Sequence, residues 1–289
     1  MTMVSEYSFG GDEHLFVKIS ESMSIQAFAK ALTIAERLKA KNIDGVTEIC
    51  PANASLLVRF DPDVIAPEKI KSITEEIDGT LSGTATNIDT RFITIPVFFN
   101  DPWTTATAQK FRDRRQEPDL SDIEFAAKSH NMASVDEFIH RYSAAPWIVT
   151  MVGFVAGLPF CYQLVPNSEQ IQLPKYLRPR TDTPKLTIAH GGCFCSYYSV
   201  RGAGGYQMLG ISPAPIFEAD SKLTYFQDSM IFFKPGDIIK YRPISQKEYE
   251  RLADEANKGT LQLDIKNVTF SIEKFMNDPS QPNLAIEEK

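Results

Sequence analysis

The feature that most constrains the fold is a change in the sequence pattern at Trp147. Beyond it, short β-rich runs are separated by Gly and Pro, and they read WIVTMVGF, KLTIAH, CFCSYYSV, YQMLGI, MIFF and DIIKYRPI. Many short strands with this punctuation are typical of an antiparallel barrel or sandwich. We therefore expect a β-domain over residues 147–276, with a helix over 245–257 and a returning strand over 261–272. The polar, proline-containing residues 277–289 are expected to form a flexible tail.

Residues 1–90 have a different pattern, in which strand-like and helix-like segments alternate. Strand-like runs cover 14–19 and Ser55–Phe60, and between them residues 24–41 place apolar side chains at helical spacing. A second helix is expected over 67–77, because Pro67 suits a first helical turn. The fold class predicted for this N-terminal part is a small α+β sandwich domain.

Residues 91–146 are expected to connect the two domains through a strand over 92–99 followed by helices. Ser121 with Glu124, and Ser134 with Glu137, each have the spacing of a capping box. In this motif the serine accepts from an exposed backbone N–H and the glutamate reaches back to the serine's own N–H. These are structural signals and carry no chemistry.

Composition narrows the function classes. The 289 residues carry a formal charge of −7 with a pI of about 5.3, which disfavours a general nucleic-acid or anionic-membrane role. No apolar run approaches the roughly 20 residues that cross a bilayer, and the first residues do not have the pattern of a signal peptide. A cytoplasmic location is expected. The four cysteines and four histidines lack metal-ligand spacing, so we predict no metal site and reduced cysteines.

Several familiar chemistries have no motif here. The sequence contains no GxxxxGK[ST] phosphate loop, no GxSxG nucleophile elbow and no SxxK pair. It also lacks the lysine motif of a biotin carrier. Any ATP or biotin used by this protein is therefore expected to be bound by, or to arrive on, another chain.

Two loops of the β-rich part are candidates for binding. Gly153 and Gly157 flank a turn where a bare backbone would let a ligand approach closely, and the alternative is a plain turn between strands. Lys175 and Arg180 lie on a proline-stiffened basic loop that would suit a carboxylate or phosphate. The alternative there is a solvated loop with weak surface ion pairs.

Two double-glycine turns flank one predicted strand and form the other candidates. They are Gly191-Gly192 and Gly204-Gly205, the second followed by Tyr206 and Gln207. Backbone amides at such turns would converge on a carbonyl or carboxylate, with the tyrosine and glutamine as added donors. His190 titrates in a range that suits a proton shuttle, but a lone histidine is more often structural.

These motifs resemble a family that includes allophanate hydrolase subunit 1 and the 5-oxoprolinase B subunit, and that is related to part of the carboxyltransferase domain of urea carboxylase. GFVAGLPF is similar to the GFxPGFPY turn of the oxoprolinase-type subunits. The run KYLRPRTDTP and the GGYQ segment resemble the urea carboxylase branch, as does IPV followed by NDPWT. The segments FKPGD and YRPIS resemble the closing strands of the family.

This resemblance implies a fold, partners and cofactors. The fold would be an N-terminal α+β domain followed by a cyclophilin-like antiparallel β-barrel. The partner would be a second carboxyltransferase subunit, of the allophanate hydrolase subunit 2 type, with the reaction cleft between the two barrels. Biotin on a separate carrier, a biotin carboxylase and ATP used by a partner subunit are the implied cofactors and further partners.

Four positions depart from the family pattern. Tyr142 replaces the histidine of an HTAP-like segment, Phe194-Cys195 replaces a Gln-Thr pair, and Ile211 replaces an arginine. Losing a cation at position 211 removes one expected contact to an anion. The substrate is therefore expected to differ from 5-oxoproline, unless the chain has become a scaffold.

Three functions remain open at this point. The first is transfer of a carboxyl group from carboxybiotin to a urea-like or amide nitrogen, by a heteromeric complex in which this chain is inactive alone. The second is ATP-dependent opening of a cyclic amide such as 5-oxoproline, and the third is a non-catalytic module that binds a histidine kinase. For the enzymatic readings, the candidate catalytic residues are Arg180, Tyr206 and Gln207, and the candidate substrate-binding residues are Gly153, Gly157, Lys175, Gly191, Gly192, Gly204 and Gly205.

Overall fold

The computed structural model describes residues 4–81, 87–220, 222–226 and 229–289, and the chain divides into two compact units. The first unit is Met1–Asp89 with Thr269–Asn277, and the second is Thr90–Val268 with Asp278–Lys289. In chain order the helices and strands are β1 (Glu6–Gly10), β2 (His14–Lys18), α1 (Ile25–Ala40), β3 (Val46–Ala52), β4 (Ser55–Phe60), α2 (Pro67–Gly79), β5 (Asn87–Phe99), α3 (Pro102–Lys110), α4 (Asp122–Ser129), α5 (Val135–Ala144), β6 (Trp147–Val152), β7 (Pro159–Gln163), β8 (Arg180–Thr183), β9 (Thr187–Gly191), β10 (Phe194–Tyr197), β11 (Gly202–Gly204), β12 (Gln207–Ile211), β13 (Ile238–Pro243), α6 (Gln246–Asn257), β14 (Asp264–Ser271), α7 (Ile272–Asn277) and β15 (Ile286–Glu288).

The first unit is an antiparallel sheet in the order β1-β2-β4-β3, with helices α1 and α2 packed against it. Helix α1 begins where the apolar spacing predicts, because Ser24 caps it by accepting from the backbone N–H of Ala27 at 3.1 Å. The alternating strand residues Leu15 and Val17 are fully buried, and each such side chain stabilises the fold by about 1.5–3 kcal/mol.

The segment Thr269–Asn277 returns from the far end of the chain to this first unit. Helix α7 contacts α1, and Phe275 is buried with its ring 5.9 Å from that of Phe270. The sequence pattern placed this stretch in the β-domain, because periodicity shows which face is buried but not which distant element covers it.

The second unit contains a mixed sheet in the order β12-β9-β10-β7-β6-β13-β5-β14-β15, and β12 also pairs with β5. Five of the six β-rich runs form strands here, whereas MIFF contributes a single bridge between Ile231 and Phe217. One pair, β13 with β5, is parallel, so the prediction of an antiparallel sheet is wrong for that pair. Strand composition does not report a partner's direction, and well over one hundred residues of chain separate these two strands. The expected closed, cyclophilin-like barrel stays a prediction.

Helices α4 and α5 contribute to the core of this unit. Ser121 and Glu124 form the complete capping box at the start of α4. At α5, Ser134 caps the helix, but the carboxylate of Glu137 accepts from the N–H of Ala133 at 2.7 Å instead of completing a box. The core that these helices help to form contains several aromatic side chains, among them Phe138, Tyr142, Trp147, Tyr197 and Tyr241.

The last residues, for which the sequence predicts a loose tail, have regular structure. A 3-10 turn over Pro282–Ala285 leads into β15, which lies beside β14 at the edge of the sheet. The backbone N–H of Lys289 donates to the carbonyl of Asn267 at 3.1 Å, and Ala285 is buried. The polar composition of these last residues does not reveal the pairing of β15 with β14, because backbone groups form its hydrogen bonds.

Candidate functional site

The second unit contains a cavity of about 410 Å³ with mostly apolar walls. Its walls come from the β6–β7 turn, from β7, β10 and β11, and from the loops before β8 and β12. The lining residues are Phe154, Leu158, Phe160, Lys175, Pro179, Ser196, Tyr198, Ala203, Gly204, Gly205 and Tyr206. A mostly apolar pocket with a few polar groups is the usual form of a small-molecule site.

Four of the predicted site residues line this cavity together. They are Lys175, Gly204, Gly205 and Tyr206. A Cβ on Gly205 would have no atom within 4 Å, so at this lining position the absent side chain leaves open space. A Cβ on Gly204 would lie 2.2 Å from the hydroxyl of Tyr198, so that glycine is required by packing.

The ammonium of Lys175 lies 5.3 Å from the centre of the Tyr206 ring, on an exposed side chain at the cavity. Burial raises the pKa values of Tyr206 and Tyr198, so both phenols stay protonated at neutral pH and can donate hydrogen bonds. The polar groups at this wall are therefore one cation and neutral hydroxyls.

Arg180 lies behind the cavity wall and is fully buried. Its guanidinium donates to the carbonyl of Tyr206 at 2.7 Å and to the hydroxyl of Thr183 at 3.2 Å, and it stacks 4.3 Å from the ring centre of Tyr176. The Nε atom has no hydrogen-bond partner among the described residues. Arg180 therefore contacts Tyr206, a residue of the cavity wall, whereas the sequence predicts that it contacts the substrate.

Gln207 is also fully buried and does not line the cavity. Its amide donates to the carbonyl of Pro174 at 2.8 Å, while its Oε1 finds no donor in the part of the chain that the structure describes. The side chain thus ties the start of β12 to the loop that carries Lys175. Its neighbour in the sheet register is His190.

Asp122 completes this arrangement, although its sequence pattern indicates no role beyond the first turn of α4. Its carboxylate accepts from the hydroxyl of Tyr176 at 2.6 and 2.7 Å and from the N–H of Met208 at 2.7 Å, and it lies 3.4 Å from Arg115. Burial raises the pKa of this carboxyl, opposed by those hydrogen bonds and by Arg180 and Arg115. The capping box at the preceding Ser121 was the one signal that pointed to this turn.

The remaining glycines have structural surroundings. Gly153 and Gly157 lie on either side of Phe154, and Leu158 follows Gly157, but neither glycine lines the cavity. Gly157 has φ of +73° and packs on Phe217, where a Cβ would approach to 2.9 Å, so no other residue fits there without strain.

Gly191 packs against the ring of Tyr206, and Gly192 pairs with the segment that precedes Lys175. A Cβ on Gly191 would lie 2.4 Å from the Tyr206 ring, so this glycine makes room for the wall residue. Gly192 forms a bridge with Leu173, and its N–H donates to the Leu173 carbonyl at 2.6 Å. Neither glycine is among the cavity's lining residues.

His190 is buried and held as a neutral imidazole. Its Nε2 faces the carbonyls of Ile171 at 3.0 Å and Gly192 at 3.2 Å, so this nitrogen carries the proton, and Nδ1 accepts from the hydroxyl of Tyr142 at 3.2 Å. Burial lowers the pKa of His190 to about 3. A proton-shuttle role is not supported by this geometry.

The four departures from the family pattern lie in the sheet and core, outside the cavity lining. Tyr142 is the partner of His190, and Cys195 contacts the hydroxyl of Tyr241 at 3.0 Å. Phe194 packs edge-on to Phe160, and Ile211 pairs with Phe98 between β12 and β5.

Two features are absent from the described ranges 4–81, 87–220, 222–226 and 229–289. Those residues contain no cluster of His, Cys, Asp or Glu that could hold a metal ion. The helices formed by them include none with the length and apolar character of a membrane span.

Comparison with known proteins relates this geometry to a family. The sequence model of the family "Carboxyltransferase domain, subdomain C and D" matches residues 5–226. The 5-oxoprolinase B subunit of Bacillus subtilis (strain 168) is 25% identical over 256 residues, which cover 86% of this chain and 96% of that protein. The urea amidolyase of Lachancea kluyveri is 20% identical over 275 residues, or 93% of this chain.

The larger relatives extend far beyond the matched region. This chain covers 15% of the Lachancea kluyveri urea amidolyase. The crystal structure of the Kluyveromyces lactis urea carboxylase matches 94% of this chain and 24% of its own, with a TM-score of 0.82 and 17% identity, which shows the same fold. With the family model covering most of its length, this chain belongs to the carboxyltransferase-domain family (subdomains C and D), together with the 5-oxoprolinase B subunit and the related part of urea carboxylase.

Proposed function

We propose that this chain is one subunit of a heteromeric carboxyltransferase-type enzyme that transfers a carboxyl group to the nitrogen of a small urea-like or amide substrate. The observation that carries the proposal is the cavity at which the bare backbone of Gly204 and Gly205 meets Lys175 and Tyr206. A planar ureido or amide group needs flat apolar walls for packing and a few fixed donors for orientation. This wall has both.

The residues present fit biotin as the carboxyl carrier, delivered by a separate protein. The wall offers aromatic side chains from Phe160, Tyr198 and Tyr206, and the cavity of about 410 Å³ is large enough for a ring. Lys175 supplies a positive charge for a carboxylate. When bound, the cofactor would supply the carboxyl group to be transferred.

The roles of the protein's own groups follow from their placement. Tyr206 and Lys175 orient the substrate and attract negative charge, and the apolar wall excludes water, which strengthens both interactions. Arg180 acts as a positioning residue, since it holds the Tyr206 carbonyl and does not face the cavity. A second carboxyltransferase subunit completes the cleft and makes turnover possible.

A second candidate function is ATP-dependent opening of a cyclic amide such as 5-oxoproline. It is favoured by the match to the Bacillus subtilis 5-oxoprolinase B subunit, because that protein is a chain of similar length that the alignment covers to 96%. In this case ATP would be bound by a partner subunit. The cavity would then hold the lactam ring, with Lys175 facing its carboxylate.

The deciding experiment uses the complex of this chain with its second carboxyltransferase subunit. Turnover that requires a carboxybiotin donor and a urea-like or amide substrate supports the first function. ATP hydrolysis that requires 5-oxoproline and proceeds without biotin supports the second. Absence of both activities in the assembled complex would reject an enzymatic role.

A single methyl group tests whether this cavity is the site. Gly205→Ala adds a Cβ to open space at the cavity wall, so the protein should fold normally while turnover falls at least about tenfold, a loss of ~1.4 kcal/mol in transition-state binding. The matched control is Gly202→Ala, which also enters open space but at a residue outside the cavity lining. Equal turnover in both variants would place the reaction elsewhere.

A further inference from the structure

Two chain segments, of which the second lines the cavity, are hydrogen-bonded to each other. Residues 112–116 run beside residues 175–179, where the N–H of Leu177 donates to the carbonyl of Arg114 at 2.9 Å. Lys175 belongs to the second segment and also lines the cavity. We call these two segments together the basic rim.

The basic rim is positively charged on a chain whose formal charge is −7. Arg112, Lys175 and Arg178 are exposed, and Arg114 is half-buried. The carboxylate of Asp113 is the one negative side chain in these two segments. Asp113 pairs with Arg178 at 3.1 Å. Among the residues that the structure describes, Arg112 and Lys175 have no carboxylate at salt-bridge distance.

Neighbouring carboxylates do little to neutralise this charge. Asp182 is bound by Arg201 at 2.6 Å, and Glu117 is bound by Lys128. Asp119 is the remaining exposed carboxylate close to the first segment in sequence. The positive charge is therefore available to an incoming group, and its field is strongest for partners that approach the cavity.

Large apolar side chains are exposed at the same place. Leu177 of the basic rim is 68% exposed, and Phe154, which lines the cavity, is 71% exposed. Phe154 also has a φ of +71°, a conformation that costs a bulky residue of order 1–3 kcal/mol. A strained backbone that holds an aromatic ring in water is typical of a recognition surface.

We propose that the basic rim, with Phe154 and Leu177, docks an acidic face of a partner protein that presents its reacting group to the cavity. Cations around apolar anchors are complementary to acidic residues around an apolar centre. A second copy of this chain and a nucleic acid also carry negative charge, and the test below distinguishes both from an acidic partner protein. The inference rests on the proposed function in that the cavity is the reaction site, whichever of the two reactions takes place there.

The test measures binding of fluorescein-labelled peptides to the full chain by fluorescence anisotropy. One short peptide has glutamates on both sides of a central tryptophan, the second has lysines in place of the glutamates, and the third has glutamates without the tryptophan. We expect the first to bind most tightly, and its affinity to fall at least about tenfold between roughly 50 and 300 mM salt, because exposed charges are screened. The lysine peptide should not bind.

Paired charge reversals locate the binding surface. Arg112→Glu with Arg178→Glu should weaken binding of the glutamate–tryptophan peptide at least about tenfold, since both residues are exposed in the basic rim. The control is Lys247→Glu with Lys258→Glu, which makes the same change of charge at the two ends of α6 and should leave binding unchanged. Circular dichroism checks that both proteins are folded.

The proposal is overturned if the glutamate and lysine peptides bind equally, or if the rim variant binds like the wild type. It is equally overturned if the rim reversal abolishes self-association in sedimentation or binding of a DNA duplex instead. Loss of peptide binding with intact catalysis of small free substrates would separate this inference from the proposed function, because docking would fail while the cavity still works.

Discussion

The imidazole of His190 has three hydrogen-bond partners in a fully buried setting, and these fix its protonation state. Both carbonyl partners face Nε2, so the neutral ring satisfies every group and a second proton would have to displace the Tyr142 hydroxyl from Nδ1. Burial disfavours the charged ring further and lowers its pKa to about 3. In the unfolded chain the same ring titrates near a pKa of about 6.5.

This difference predicts a specific pH dependence of stability. Between about pH 6.5 and about pH 3, the unfolded chain binds a proton at this imidazole and the folded protein does not. This group therefore lowers the free energy of unfolding by about 1.4 kcal/mol for each unit that the pH falls. His190→Gln should remove that share of the slope between about pH 6.5 and about pH 4 in urea unfolding followed by tryptophan fluorescence. The matched control substitution is His140→Gln, at an exposed position of α5. Identical slopes for wild type and His190→Gln would contradict the buried neutral imidazole.

Alanine substitutions at two adjacent glycines should have different effects on the free energy of unfolding. Gly204→Ala would place its methyl 2.2 Å from the Tyr198 hydroxyl and 2.8 Å from Thr183 Oγ1, so we expect a loss of about 1–3 kcal/mol. Gly205→Ala meets nothing and should unfold within about 0.5 kcal/mol of the wild type. Denaturant titration of both variants decides the matter, and equal losses would mean that the hairpin is packed differently.

The first residue of helix α4 forms hydrogen bonds with two distant segments of the chain. The carboxylate of Asp122, at the first position of the helix, bonds both the Tyr176 loop and the backbone of Met208 in β12. Arg180 holds the preceding Tyr206 carbonyl, so the strand start at the cavity is fixed from two sides. One helix terminus thus positions the wall of the candidate site.

Adjacent substitutions separate this tie from ordinary helix capping. Ser121→Ala removes a cap and should cost about 1 kcal/mol. Asp122→Ala leaves the Tyr176 hydroxyl and the Met208 N–H without their buried acceptor and removes the carboxylate that pairs with buried Arg115, so we expect a loss of about 3–5 kcal/mol. Hydrogen exchange at Met208 should accelerate only in Asp122→Ala, and an unchanged rate there would show that the strand start is held by other groups.

Local patterns predicted many elements of this chain, and long-range pairing explains what they missed. The apolar spacing of α1 and the alternation in Ser55–Phe60 are properties of neighbouring residues, and both elements lie where expected. The parallel partner of β13 and the return of α7 depend on contacts between distant segments. The periodicity of one segment does not show which distant segment it will contact.

The same limit applies to the candidate site. Glycine turns are visible in sequence, and Gly204 and Gly205 do line the cavity. Arg180 looked like an exposed cation on a stiff loop, but Tyr176 and the Tyr206 carbonyl enclose it, which the loop sequence does not reveal. The aromatic walls at Phe160 and Tyr198 come from separate strands and loops that meet only in the fold.

At the scale of the whole molecule, the chain has two cores, and each is built partly from the C-terminal residues. Thr269–Asn277 belongs to the first unit and Asp278–Lys289 to the second. Strand β14 crosses the division between them, so the last part of the chain contributes to both units. Units with separate cores are expected to respond separately to loss of a core side chain.

Two phenylalanine truncations test this division. Phe275→Ala, in α7, should destabilise the first unit by about 3–5 kcal/mol, because it empties a buried ring site next to Phe270. Hydrogen exchange should then accelerate in α1 while β9 and β10 keep their protection, since those strands belong to the second unit. Phe138→Ala, in the core of the second unit, should give the reverse pattern. If either truncation lowered protection equally in α1 and in β9, the chain would unfold as one cooperative body, and the return of α7 would stabilise the whole protein rather than the first unit alone.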